Sequence, residues 1–381
     1  MSVFGPQPGV RPVVGTRLDG DEDSLAKNAW AFFDRVKGDG TLHIVWEAAN
    51  QSMVCTVGGE GYAYRSAPGA SAPGHIAVLH RQSPSPTAVS PSGAPRSVVL
   101  KRGETVGSEA AILKALAPRQ PTCMVAGFSA TADKKANAGR GRSHVENIIV
   151  MEYVQPLAEC AAQLTHSTAM QLLTTLVGGL MDVGPHMVYT NVKVEHVGVV
   201  REGSAVTGVR LMDYSSLSGN ANIRHTHQLI DGAADDVAKN SENAVCISCW
   251  GVLCTLLDIF GNPRKSAAVC DADFDVVKAG LSEFLGDERV PPAVREVFGS
   301  GGLGMPPLED NTATEHRGMK EWQRAIDYEA LKASFETALR KLDNEEPAES
   351  FTSGESVISL PARPSPSNSK NSAGSSRKTR K

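Results

Sequence analysis

No run of about 18 consecutive apolar residues occurs in the 381-residue chain, so no membrane-crossing helix is expected. The opening residues, Met1-Ser2-Val3-Phe4-Gly5-Pro6, lack a basic region followed by an apolar core, so a secretory leader is not expected either. Cysteine is scarce and odd in number, seven residues scattered from Cys55 to Cys270. That excludes a fully paired disulfide framework and implies free thiols in a reducing, intracellular setting. Cys246 and Cys249 have C-x-x-C spacing and Cys254 follows, but a metal or redox role needs a second ligand pair or an exposed helix start. Apolar Val245, Trp250, Val252 and Leu253 surround them, so buried helix cysteines are the favoured reading. No internal repeat is evident.

A strong charge of one sign is also missing, since the formal net charge is −4. Arg363, Lys370, Arg377, Lys378, Arg380 and Lys381 all lie in the last 21 residues, which contain no acid, so the body of the chain is mildly acidic. This balance gives no global nucleic-acid signature. The ending Arg377–Lys381 can be read as a nuclear signal, although a solvated tail is the plainer reading. The expected setting is therefore cytoplasmic or nuclear, with no membrane contact.

Hydrophobic residues make up 41% of the chain, enough for a sizeable core. Residues 23–36 have helical spacing, with Ser24 as a cap and Leu25, Trp30, Phe32, Phe33 and Val36 as apolar contacts. Strand-like alternation covers 41–48, 52–64, 75–80, 97–101, 124–130 and 145–153. Residues 66–74 and 83–96 are dense in Ser, Pro, Ala and Gly and read as loop insertions. A basic loop over 132–142 joins two of the strands. Residues 108–116 read as a helix with Ala111, Ile112, Ala115 and Leu116 on one face. From Leu157 the pattern becomes helical. Ala169, Leu172, Leu173, Leu176, Val177 and Leu180 recur at three- and four-residue spacing, and further helices are expected over 244–260, 273–285, 292–298 and 321–342. Residues 346–381 read as a disordered Ser/Pro-rich tail.

Several polar positions punctuate this plan. Lys101 ends the apolar strand Val98-Val99-Leu100, and Glu109 follows on the next helix in Ser108-Glu109-Ala110-Ala111-Ile112-Leu113. Met151-Glu152-Tyr153-Val154 closes an apolar strand. Val188-Tyr189-Thr190-Asn191-Val192-Lys193-Val194-Glu195-His196 follows a long helix, and Leu211-Met212-Asp213-Tyr214-Ser215 follows another apolar strand. In this order and spacing, the chain over roughly residues 50–340 resembles the protein kinase superfamily, with its H-R-D-x-K-x-x-N loop and its D-F-G metal motif. The eight-residue step from Lys101 to Glu109 is similar to that of herpesvirus-type Ser/Thr kinases.

The resemblance implies an α+β, two-lobed fold. It comprises an N-terminal extension (1–40), a β-rich small lobe with one main helix (41–154), a larger helical lobe (155–343) and the tail (344–381). It also implies ATP and at most one Mg²⁺ as ligands. Lys101 would hold phosphate and Glu109 would orient it. The backbone of Glu152 and Val154 would read adenine, with Met151 as gatekeeper. Asp213 would hold the metal. Gly59 and Gly61, in Gly58-Gly59-Glu60-Gly61, would approach phosphate, although a plain Gly-rich hairpin fits them equally. The catalytic loop departs from the family. Asn191 stands where the catalytic Asp belongs, and a neutral amide is not a base near pH 7. Thr190 replaces the Arg. Lys193 keeps the loop lysine and Glu195 keeps the acid. His196 replaces the second metal-binding Asn. Cys246 replaces an Asp that supports the loop. The expectation is a pseudokinase that scaffolds or regulates a partner; the alternative is a divergent, active Ser/Thr kinase.

Overall fold

The computed structural model describes residues 22–39, 42–47, 52–66, 76–82, 94–103, 106–134, 144–183, 188–202, 205–218, 241–261, 274–308 and 313–345. The alternating stretches of the first half form one antiparallel sheet. Its strands are β1 (Leu42–Glu47), β2 (Ser52–Val57), β3 (Glu60–Ser66), β4 (Ile76–Arg81), β5 (Ser97–Gly103), β6 (Gly127–Lys134) and β7 (His144–Glu152). They lie in the order β1-β2-β3-β4-β5-β7-β6. Residues 52–64, expected as one strand, are two. Gly58 and Gly59 have φ of +57° and +80°, the backbone that a two-residue hairpin turn needs. The expected loop at 132–142 begins later, because β6 runs on to Lys134; residues 135–143 lie outside the described residues.

Two helices cover this sheet. Helix α1 (Glu22–Asp39) buries Trp30, Phe32, Phe33 and Val36. Its Trp30 indole donates to the Pro121 carbonyl at 3.2 Å, and Phe33 meets Phe128 of β6 with ring centroids 5.9 Å apart. Helix α2 (Val106–Leu116) buries Val106, Ala110, Leu113 and Leu116. The face expected from sequence was different: Ala111 and Ala115 are exposed. A short Ala-rich helix offers no unique apolar stripe, so packing against the sheet chose which face turned inward.

The second half is mainly helical. Short strands β8 (Gln155–Pro156), β10 (Val197–Glu202) and β11 (Ala205–Leu211) form one small sheet, and β9 (Val188–Tyr189) pairs with β12 (Leu217–Ser218). The helices are α3 (Leu157–Cys160), α4 (His166–Asp182), α5 (Ser241–Phe260), α6 (Phe274–Gly286), α7 (Pro292–Arg295), α8 (Ala313–Ala325) and α9 (Tyr328–Glu345). Helix α4 is capped by Thr165, whose hydroxyl accepts from the Thr168 amide at 3.1 Å, and all six residues of its expected stripe are buried. Cys246, Cys249 and Cys254 are buried free thiols on α5, as their apolar surroundings suggested. No described helix is long and apolar enough to cross a membrane. The whole is the α+β arrangement expected, a sheet with its helices followed by a helical portion.

The helix expected over 321–342 is broken in two. Its apolar register is continuous, but Asp327 intervenes: its carboxylate accepts from the Ala330 amide at 2.7 Å and its carbonyl from Leu331 at 3.1 Å. A side chain that satisfies the first free N–H groups starts a new helix. Asp327→Ala is therefore expected to lower stability by about 1 kcal/mol. Urea unfolding followed by far-ultraviolet circular dichroism checks this; an unchanged midpoint would show that the cap contributes nothing.

Candidate functional site

The antiparallel register sets what Lys101 faces. It pairs with Ile149, and Val99 pairs with Met151, so Met151 shares the face of Lys101 while Glu152 points to the other. The Lys101 ammonium lies 2.8 Å from Glu109 Oε2 and 3.6 Å from Asp213 Oδ1. Three elements distant in sequence thus meet at one cation: β5, the first turn of α2, and the turn after β11. Their side chains are only 13–17% exposed, so the charges interact with little screening. Burial pushes the Glu109 carboxyl above its ordinary range; the charge and hydrogen bond of Lys101 pull it back, and the nearby Asp213 carboxylate adds to the rise. The Glu109 bond uses one of the ammonium's three N–H donors and Asp213, at 3.6 Å, is an ion pair beyond hydrogen-bond range, so the ammonium can still donate to a further acceptor.

Asp213 also opens a 3-10 turn, Tyr214–Ser216, which packs against α2. Its Oδ1 accepts from the Ser215 amide at 3.2 Å, and the Ser215 hydroxyl lies 2.8 Å from both carboxylate oxygens. Beside it, His196 Nδ1 is 3.1 Å from the Asn191 carbonyl and 3.6 Å from Asp213 Oδ2. A carbonyl only accepts, so Nδ1 carries the proton and donates it to Asn191 O, while Asp213 Oδ2 at 3.6 Å lies beyond hydrogen-bond range. Burial pulls the imidazole below its ordinary pKa and Lys193 pulls it further, against the opposing pull of Asp213. In this tautomer Nδ1 is not available to a metal and the lone pair lies on Nε2. Asp213 remains as a hard oxygen ligand suited to Mg²⁺. Among the described residues no group of three or more His, Cys, Asp or Glu is placed to hold a metal ion.

The loop from Tyr189 to His196 is held largely by backbone. His196 N and Val197 N donate to Lys193 O at 2.8 and 3.1 Å, Ala158 N donates to Val194 O at 3.1 Å, and Met212 N donates to His196 O at 2.9 Å. Beneath it, α5 comes so close that a Cβ on Gly251 would lie 3.0 Å from Val192 O. Asn191 is 8% exposed, and its Oδ1 has no hydrogen-bond partner among the described residues. Lys193 is half-buried. The Cys246 thiol donates to the Arg324 carbonyl at 2.9 Å.

Two expected groups are placed elsewhere. Gly61 O accepts from Gln82 N, and Arg81 N donates to Arg96 O, so the Gly58-Gly59 turn lies at the end of the sheet where β5 begins. Lys101 is five residues further along β5, roughly 16 Å. The turn rests instead on α1, where a Cβ on Gly58 would lie 2.5 Å from Val36 Cγ2. Gly59 and Gly61 are therefore hairpin residues and do not approach the Lys101 site. The strand ends nearest Lys101 are Ser66 and Ile76, and residues 67–75 lie outside the described residues. The Glu152 carboxylate accepts from Ala126 N at 2.8 Å, with the buried Arg210 as its charge partner, so only its backbone faces outward from the pair. The Val154 side chain sits on Gly198, where a Cβ would come 2.1 Å from Val154 Cγ2. Sequence reading missed Arg210 and the Tyr214 hydroxyl. Arg210 left a signal, a cation inside the apolar run Val209-Arg210-Leu211, whereas nothing distinguished Tyr214 from a packing aromatic.

No protein-family model matches the chain, and no curated protein matches it. Among solved structures, the Cydia pomonella granulovirus kinase PK-1 is similar, with a TM-score of 0.40 and 12% identity, covering 78% of this chain and 96% of that one.

Removing Lys101 leaves Glu109 buried beside Asp213 without its cation. The folded-state pKa of Glu109 then rises further above the unfolded value. Stability from such a group is fully present below the unfolded pKa and is lost as pH rises through the folded one. Lys101→Met is thus expected to destabilise by roughly 3 kcal/mol at pH 8 and by clearly less at pH 5. Urea unfolding at both pH values tests this; an equal loss at the two would rule out the proposed protonation.

Proposed function

We propose that the chain is a nucleotide-binding, protein-kinase-like domain with weak or no phosphotransfer, which acts as a scaffold or regulator of a protein partner. The observation that carries this reading is the meeting of Glu109, Lys101 and Asp213. A cation oriented by one buried carboxylate, beside a second carboxylate able to take Mg²⁺, suits a polyphosphate–metal ligand. Lys101 and Asp213 would hold ATP and its Mg²⁺, the backbone of Glu152 and Val154 would meet the base, and Lys193 would neutralise the outer phosphate. ATP bound there supplies a transferable γ-phosphoryl group. What the chain does not supply is a base. Asn191 cannot take a proton from a hydroxyl, and His196, its Nδ1 already donating, offers no second metal ligand through that atom.

One observation favours a second reading, a slow but active Ser/Thr kinase. Asn191 Oδ1 is a buried acceptor without a partner among the described residues, and an incoming hydroxyl could satisfy it. Loss of a general base costs about 10²–10⁴-fold in rate, so positioning alone leaves measurable turnover.

Titrating ATP with Mg²⁺ into the wild type and Lys101→Met, with γ-phosphate transfer to a generic protein substrate followed in parallel, separates these readings. Binding at least tenfold weaker in the variant, without transfer, is the expected result, provided melting curves show both proteins folded. Transfer that vanishes with Lys101 would establish the active kinase. Absence of binding by the wild type would overturn both.

A further inference from the structure

The stretch that carries Asp213 is fastened to a four-residue segment, 123–126, at the entry to β6. Leu211 N donates to Cys123 O at 2.7 Å, and Val125 N donates to Leu211 O at 3.0 Å. Met124 and Leu211 form a parallel bridge. On the other side, Ala126 N donates to Glu152 Oε1 at 2.8 Å and Glu152 N donates to Ala126 O at 2.9 Å. One further carbonyl of the segment, Val125 O, accepts from the hydroxyl of Tyr214. Tyr214 is fully buried, and because a carbonyl can only accept, its phenol O–H is the donor of this bond.

A phenyl ring would fill the same space, as the phenylalanine of the D-F-G pattern does. The hydroxyl is this chain's addition, and it reaches the carbonyl of the residue whose amide already holds Leu211. Asp213 is thereby gripped on both sides, two residues before and one after. A buried carbonyl that loses its donor is costly, so the contact resists any swing of the turn.

We propose that Tyr214 is a positioning residue whose hydroxyl, held by Val125 O, fixes the turn beginning at Asp213 and so keeps the Asp213 carboxylate beside Lys101 and available to a divalent cation. This deepens the nucleotide-binding reading and rests on it. Lys101 is oriented independently by Glu109, so the effect is confined to the metal side of the site.

The test is Tyr214→Phe in the full chain, with ATP titrated in Mg²⁺ and in EDTA and with amide hydrogen exchange measured without ligand. The expected result is ATP binding within about twofold of wild type in EDTA, a Mg²⁺-supported gain in affinity reduced at least fivefold, and faster exchange at Val125, Leu211 and Ser215 while α4 is unchanged. A ring that only packs would move neither the Mg²⁺ gain nor the exchange, and that result overturns the proposal. If the wild type binds no ATP, the nucleotide reading fails; exchange then decides whether the hydroxyl holds the turn, and unchanged protection overturns that as well. If the variant does not fold, the wild type still decides. Val125 and Leu211 amides that exchange much faster than those of α4 would show that no lock exists.

Discussion

Lys101 between Glu109 and Asp213 is the interaction on which the site depends. Two carboxylates so little exposed would repel each other and shed their charge without a cation between them. The ammonium makes their approach favourable, and it comes from a central strand, so its position is fixed by the hydrogen bonds of β4 and β7 on either side. Each carboxylate in turn anchors an element: Glu109 orients α2, and Asp213 starts the turn on which α2 rests. The geometry of the site is therefore set by one charge balance as much as by apolar packing.

The loop around Asn191 shows the opposite construction. Its course is secured by backbone bonds of Lys193, His196 and Met212 and by the bare backbone of Gly251 beneath it. Backbone bonds do not depend on side-chain identity. A loop supported in this way can change its side chains and still hold its place, which separates the shape of the site from its chemistry.

Much of this was legible in the sequence where a periodic apolar pattern met a short interval. The stripe on α4 follows from local geometry, and the pairing of Lys101 with Glu109 was legible only through the resemblance. The glycines left two readings open because Gly58-Gly59 has the composition of a phosphate loop and the position of a hairpin, and only strand register distinguishes the two. The apolar spacing on either side of Asp327 reads as one helix because periodicity does not register a cap. The inward face of α2, the Glu152–Arg210 pair and the contact of Tyr214 with Val125 depend on residues far apart in the chain, joined only by the pairing of β7 with β6 and the docking of β11 on the segment before β6. No local pattern encodes them.

One feature of the helical half has an optical consequence. Trp250 of α5 and Trp322 of α8 are both buried, with ring centroids 6.3 Å apart and planes at 86°. Indoles so close and so nearly perpendicular couple their electronic transitions, and the resulting circular dichroism belongs to the helical half alone. Trp30, buried and bonded to Pro121, and Trp46 of β1 give the other half its own fluorophores. The chain thus contains separate natural chromophores for its two halves, and loosening of one can be followed without labelling the other.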